Sequence, residues 1–362
     1  MKKNLNNNER GDLPSASPFS RYKACPPSHR LGLGIKSEGS DVSRAGDRIH
    51  AWLEFDGNDI PLQNHDELWC AKRCLFDRRM LLALIHSDKE VVDHREIRLW
   101  DKRKRYSGVP DYVAIADKHA LVADYKTGPI AVEHASQNSQ LMALSILVKD
   151  NYDVDRVTVA VIQPKAGEPT MHTYDGDGLK RARARVNRIL RRMKDLTISP
   201  KPGASQCRYC TAKPVCPALR SQASELATVK PEALTPANIS QVLEKAKAVK
   251  ELINAVEDRA KYMLKEKPSC IPGWYLKDGS IRRTISNSKQ AYTLLADAGL
   301  PFDLILSSTN FSLSKLERQF HSHLEDSGDT SSSMESRNQL RELLGDAVQE
   351  KQCEPRLTQV ES

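Results

Sequence analysis

Gly108-Val109-Pro110-Asp111-Tyr112-Val113-Ala114-Ile115-Ala116, then Asp117-Lys118-His119, then Ala120-Leu121-Val122-Ala123-Asp124-Tyr125-Lys126 is the stretch that decides the fold. Two apolar runs flank a short polar break, the pattern of a β-hairpin. Asp124 and Lys126 are two apart, so a strand turns both to one face. Asp111 opens the first run, where an antiparallel partner brings it beside Asp124. Two carboxylates and an ammonium at one spot are unfavourable in a core. They suit a hard divalent cation held over a phosphate.

Outward from the hairpin, Thr127-Gly128-Pro129 makes a loop and the apolar spacing predicts a helix over about 132–149, carrying Gln137 and Gln140. Val157-Thr158-Val159-Ala160-Val161-Ile162-Gln163 is a nearly continuous β-branched run. Such a run predicts a strand buried on both faces, parallel to the hairpin through that helix. Upstream, helices are expected over 41–54, with His50 and Glu54 one turn apart, and over 67–86; a strand over about 91–100 carries Glu96. The expected core is an α/β sandwich. Cys70 and Cys74 share a helix face with no completing ligand nearby, and read as core thiols.

Pro110-Asp111, then Asp124-x-Lys126, resembles the Pro-Asp…(Asp/Glu)-x-Lys signature of the PD-(D/E)XK nuclease superfamily. Gln140, and His50 within Gly46-Asp47-Arg48-Ile49-His50, resemble the RecB-like branch; the tyrosine usual four residues after the glutamine is replaced by Leu144. The resemblance implies a restriction-endonuclease-like core, a central mixed sheet flanked by helices, with an α-rich carboxy-terminal appendage. It also implies metal-dependent hydrolysis of DNA phosphodiester bonds. Asp111, Asp124, the Tyr125 carbonyl and His50 would hold Mg²⁺ or Mn²⁺. Lys126 would orient the attacking water, Gln140 would position Lys126 or the scissile strand, and Glu96 would be an extra ligand.

Cys207-x2-Cys210-x5-Cys216 puts three cysteines in ten residues, a specific signal for a thiolate metal site. Cys25, in Cys25-Pro26-Pro27, is the best candidate for a fourth ligand. One remote amino-terminal cysteine with a cluster after the core resembles the iron–sulfur nucleases, AddB-type helicase–nucleases and CRISPR adaptation nucleases. That implies a 4Fe–4S cluster; zinc is the alternative, since four thiolates suit it too.

The 362 residues carry a formal charge of +8 and a pI near 9.0, which favours a polyanionic partner. Arg103 and Arg105, in the turn after Trp100, and Arg181, Arg185, Arg188 and Arg192, on an amphipathic helix over 179–196, are candidate nucleic-acid contacts. No apolar run approaches the ~20 residues that span a bilayer, and no secretory h-region follows the polar start. A cytoplasmic protein of a bacterial or phage-infected cell is expected, with no membrane partner. The expected organisation is a disordered tail over 1–20, the nuclease core with its cysteine cluster over 21–225, and a helix and hairpin appendage over 226–325. A flexible linker and terminal helix fill 326–362. The order of these parts resembles phage- and prophage-encoded RecB-like proteins. It implies an exonuclease of recombination, replication or repair acting on single-stranded DNA or duplex ends, with a recombinase or helicase partner. Two alternatives stay open: a nucleic-acid-binding scaffold of this fold without turnover, and a zinc-dependent DNA-binding regulator.

Overall fold

The expected hairpin is the middle of a five-stranded sheet in the computed structural model, which describes residues 10–35, 41–57, 60–86, 90–276, 288–297, 302, 313–327 and 331–344. Among the described residues the strands, in chain order, are β1 (Val92–Arg95), β2 (Leu99–Trp100), β3 (Ser107–Gly108), β4 (Tyr112–Ala116), β5 (His119–Tyr125), β6 (Arg156–Ile162) and β7 (Thr170–Tyr174). The sheet runs β1-β4-β5-β6-β7, with β5 and β6 parallel and the other pairs antiparallel. β2 and β3 form a separate two-stranded ribbon. The single strand expected over 91–100 is therefore two strands in two sheets. It breaks at Glu96, which takes a left-handed backbone (φ 50), a conformation a β-strand does not contain. β7 lacks a clear period-two pattern and was not expected.

The helices of the first unit, which ends at Ile281, are α1 (Phe19–Ala24), α2 (Ser28–Leu31), α3 (Asp41–Glu54), α4 (His65–His86), α5 (Ser139–Asn151), α6 (Gly176–Lys194), α7 (Ala204–Arg208), α8 (Pro217–Ala227) and α9 (Ile239–Glu266). Strand alternation sorts the side chains into two layers. Val113, Ala120, Val122, Val157 and Val159 face a core built with α5 and α6. Tyr112, Ala114, Leu121, Ala123 and Tyr125 face α3 and α4, with Cys70 and Cys74 fully buried among them. The crossover helix α5 starts at Ser139 rather than near 132, because the Asn138 side chain accepts the Leu141 N–H and caps it there. Gln137 therefore precedes the helix.

Residues 10–20, expected in a loose tail, are packed on the core. Ala16 and Phe19 are buried, the Phe19 ring lies 5.1 Å from that of Tyr106, and Ala16 N–H donates to Ser107 O. Two apolar side chains in a polar segment suffice to dock it, a signal that composition averages away. At Gly108, an added Cβ would lie 2.8 Å from Ala16 Cβ, Leu144 Cδ2 and Leu147 Cδ1. Gly108→Ala is expected to cost about 1–3 kcal/mol by overpacking, read as a lower urea midpoint at unchanged slope; an unshifted midpoint contradicts the close approach.

α9 was expected in an appendage starting at 226, but it belongs to the first unit, packed through Ala248, Val249 and Leu252 on Leu219 of α8 and on Cys216. It begins at Ile239, after a turn at Thr235–Asn238. The second unit, Arg282–Ser362, contains α10 (Ser288–Asp297), α11 (Leu313–Asp326) and α12 (Ser333–Leu344). The terminal helix expected within 326–362 is α12. Ser332 Oγ accepts Glu335 N–H and Glu335 Oε2 accepts Ser332 N–H, a reciprocal cap on α12. The hairpin expected in the appendage lies largely outside the described residues, which stop at 276 and resume at 288. No described helix is long and apolar enough to cross a membrane.

Candidate active site

Register brings the carboxylates together. Tyr112 pairs with Ala123, so Asp111 and Asp124 stand one step further along the same two strands. Asp111 Oδ2 accepts the Tyr125 N–H at 2.6 Å. Lys126, two residues beyond Asp124, turns to the same face, and its Nζ lies 2.6 Å from Asp124 Oδ2. Gln140, in the first turn of α5, ties the pair: its Nε2 donates to Asp124 Oδ1 at 2.6 Å, and its Oε1 accepts from Lys126 Nζ at 3.2 Å. Asp124 Oδ2 is sealed from solvent and makes no hydrogen bond of good geometry, so its contact with Lys126 is ionic.

His50 reaches the same end of the sheet from α3, on the opposite layer, with its ring edge-on to Tyr125. Its Nδ1 lies 3.2 Å from Asp111 Oδ1 and 3.6 Å from Glu96 Oε1. Gly46, one turn earlier, brings α3 close to the end of β5: a Cβ there would stand 3.1 Å from Thr127 Oγ1. The left-handed turn at Glu96 breaks the strand at the position whose carboxylate faces His50. One ligand atom from each of His50, Glu96 and Asp111 lies within 4.8 Å of the others. Glu96 thus stands in this ligand group, whereas Asp124 is engaged by Lys126 and Gln140.

Each charge is set by its neighbours. Burial disfavours a charged His50, yet Asp111 and Glu96 outweigh it and push the imidazole up to about 10. Burial would raise Asp111, but His50 and then Lys126 bring it below the usual carboxylate range. Burial pushes Asp124 above that range; Lys126 opposes this and the Asp111 charge adds to it. Burial works against the Lys126 ammonium, but Asp124 and Asp111 hold it above its ordinary value. An imidazole and carboxylates crowded at one point suit a hard or borderline divalent cation such as Mg²⁺ or Mn²⁺.

Leu144, where the RecB-like pattern has tyrosine, is buried in the main core against Gly108. The site face of α5 therefore ends at Gln140. Two supporting residues escaped the sequence. Arg78 of α4 donates to Tyr125 Oη at 3.4 Å and pairs with Asp56 at 2.5 Å. Gln163, just after β6, donates to Gly128 O and Ile130 O at 2.9 and 2.7 Å and accepts Val132 N–H at 3.1 Å. It clamps the loop joining Lys126 to Gln140. The signal was available: Gln163 is the polar residue that ends the β-branched run. Gln163→Leu is expected to free those backbone groups and cost about 1–3 kcal/mol, with faster amide exchange at Val132; unchanged exchange there contradicts the clamp.

The cysteines form a second centre. Cys25, Cys207, Cys210 and Cys216 line one small cavity with Leu31, Pro202 and Leu219. Lys201 N–H donates to Cys25 Sγ at 3.3 Å and Gly203 N–H to Cys207 Sγ at 3.4 Å. The Arg21 guanidinium bonds Tyr209 O and holds the two segments together. Burial pushes the Cys25 thiol up, and burial with the neighbouring sulfurs pushes Cys207 up to about 11. Four converging sulfurs among apolar walls fit a thiolate-bound metal group, whose charge would offset that cost.

Residues 86–361 match the model of a family described as "Protein of unknown function (DUF2800)". The chain belongs to the DUF2800 family. In DUF2800 terms, Glu96, Asp111, Asp124, Lys126, Gln140 and the three clustered cysteines fall within the match, and Cys25 and His50 precede it. No curated protein matches. Among solved structures, one titled "Crystal structure of SSO0001" is similar at 14% identity and a TM-score of 0.28, covering 55% of this chain and 85% of that one.

Of the candidate nucleic-acid contacts, Arg105 is bound to Asp101 and donates to Asn187 Oδ1 at 2.8 Å. With Arg103, it borders a groove against α6. Arg181, Arg185, Arg188 and Arg192 are exposed on another stripe of α6, outside that groove.

Proposed function

We propose that this protein is a metal-dependent deoxyribonuclease of the PD-(D/E)XK type, RecB-like branch, acting as an exonuclease. The observation that carries this reading is the Asp124–Lys126–Gln140 contact set standing beside the His50, Glu96 and Asp111 ligand atoms. A bound Mg²⁺ or Mn²⁺ would polarise a phosphate oxygen and lower the pKa of a bound water. His50, Glu96 and Asp111 would supply its donors, with Asp124 and the Tyr125 carbonyl beside them. The Lys126 ammonium, fixed by Asp124 and Gln140, orients the water and balances charge that builds on the phosphoryl oxygens. Water oxygen bonds to phosphorus and gives up a proton to solvent, the phosphorus–oxygen ester bond breaks, and the leaving oxygen takes up a proton from solvent.

The four cysteines that line one cavity would hold a 4Fe–4S cluster, with a single zinc as the alternative that four thiolates suit as well. The deciding experiment incubates the full chain with end-labelled linear and closed circular DNA and Mg²⁺ or Mn²⁺. Metal-dependent loss of linear DNA with the circle intact is expected. Intact DNA under every metal tried would leave a binding scaffold in its place.

A further inference from the structure

The turn between β2 and β3 and the helix α6 meet in an open groove of about 490 Å³, lined by Arg103, Arg105, Asn187, Arg191 and Lys194, together with Ala184 and Leu190. Ala184, Asn187, Arg191 and Lys194 recur at three- and four-residue spacing, one stripe of the helix. The lining holds four cationic side chains and no acidic one. Asp101, the nearest carboxylate in the turn, is occupied by Arg105. Among the described residues, no carboxylate pairs with Arg103, Arg191 or Lys194. Arg105 is fixed between Asp101 and Asn187, so the groove is a built feature joining two segments far apart in sequence.

We propose that this groove binds the phosphate backbone of a nucleic-acid strand at a point remote from the carboxylate centre. Gln140 stands in the first turn of α5, and Asn151, at its other end, donates to Trp100 O beside the turn. Eleven helical residues at 1.5 Å each put that end of α5 about 16 Å from Gln140 along the helix. A stacked strand running that length covers about five nucleotides at roughly 3.4 Å each. Guanidinium forks match phosphate oxygens, and Asn187 adds an amide. The groove's affinity for anions stands without the nuclease reading; the choice of a nucleic acid rests on it.

The test measures binding of labelled DNA to the full chain in EDTA over a range of salt. Arg103→Ala/Arg191→Ala/Lys194→Ala is compared with Arg181→Ala/Arg185→Ala/Arg188→Ala. Three lost phosphate contacts flatten the log–log salt slope by about 2 to 3 units, and this is expected of the groove triple alone. With metal, the groove triple should lower kcat/KM for strands longer than about five nucleotides and spare shorter ones. An unchanged slope, or equal flattening by both triples, overturns the groove as the site. So does a polyglutamate chain that binds as well as DNA and is lost in the same triple, which would assign the groove to an acidic protein. If the slope flattens as expected but no DNA is ever cut, the nuclease reading fails and the groove stands.

Discussion

Lys126→Ala is expected to lower DNA cleavage by about 10²- to 10³-fold while the chain stays folded. The ammonium is held where charge would develop, and removing one such electrostatic group costs about 3–4 kcal/mol of transition-state stabilisation in other enzymes. It is only partly covered, so its loss opens little core. Asp124 is the group left exposed to the consequence: buried and stripped of its ionic partner, its carboxyl moves further above the usual carboxylate range. Gln140 keeps a hydrogen bond to its Oδ1, which limits the loss of stability. Asp111→Asn and Asp124→Asn should be equally inactive through the donors they remove, and both preserve shape. Wild-type cleavage by Lys126→Ala, with circular dichroism unchanged, would sink the catalytic assignment.

The two strands that carry these groups were legible because period two fixes faces. Asp124 and Lys126 had to share one, and a tight hairpin had to bring Asp111 alongside. The parallel β5–β6 pair was legible from the β-branched run and the helix before it. Glu96 was harder. Its role in the geometry comes from a left-handed backbone that ends one strand and turns a carboxylate toward His50, and no local pattern in the sequence marks that break. The basic groove was half legible. Both segments were read as charged, but the stripe facing the turn is Asn187, Arg191 and Lys194. The residues singled out in sequence, Arg181, Arg185, Arg188 and Arg192, sit on a neighbouring stripe. Helical period places residues on stripes; only tertiary packing says which stripe meets another segment.

Cys25→Ser is expected to strip the cysteine centre of its iron and sulfide, and to do so without disturbing the carboxylates. Cys25 lies about 180 residues before Cys207 in sequence, yet all four sulfurs line one cavity. Closing a loop of that length removes on the order of 4–5 kcal/mol of chain entropy from the unfolded state. Phe19 and the Arg21–Tyr209 contact already hold this end on the core, so the loss should be smaller. About 2 kcal/mol, or roughly 4–8 °C in Tm, is expected. Cleavage should fall only as the chain unfolds, and return on cooling below the new Tm. Cys70→Ser is the control. That thiol is fully buried between sheet and helix, away from the cavity, so its loss should leave the metal content intact whatever it does to packing. Zinc without sulfide in the purified protein would replace the cluster with a single ion. Full iron in Cys25→Ser, with iron lost in Cys70→Ser, would detach the amino-terminal segment from the metal altogether.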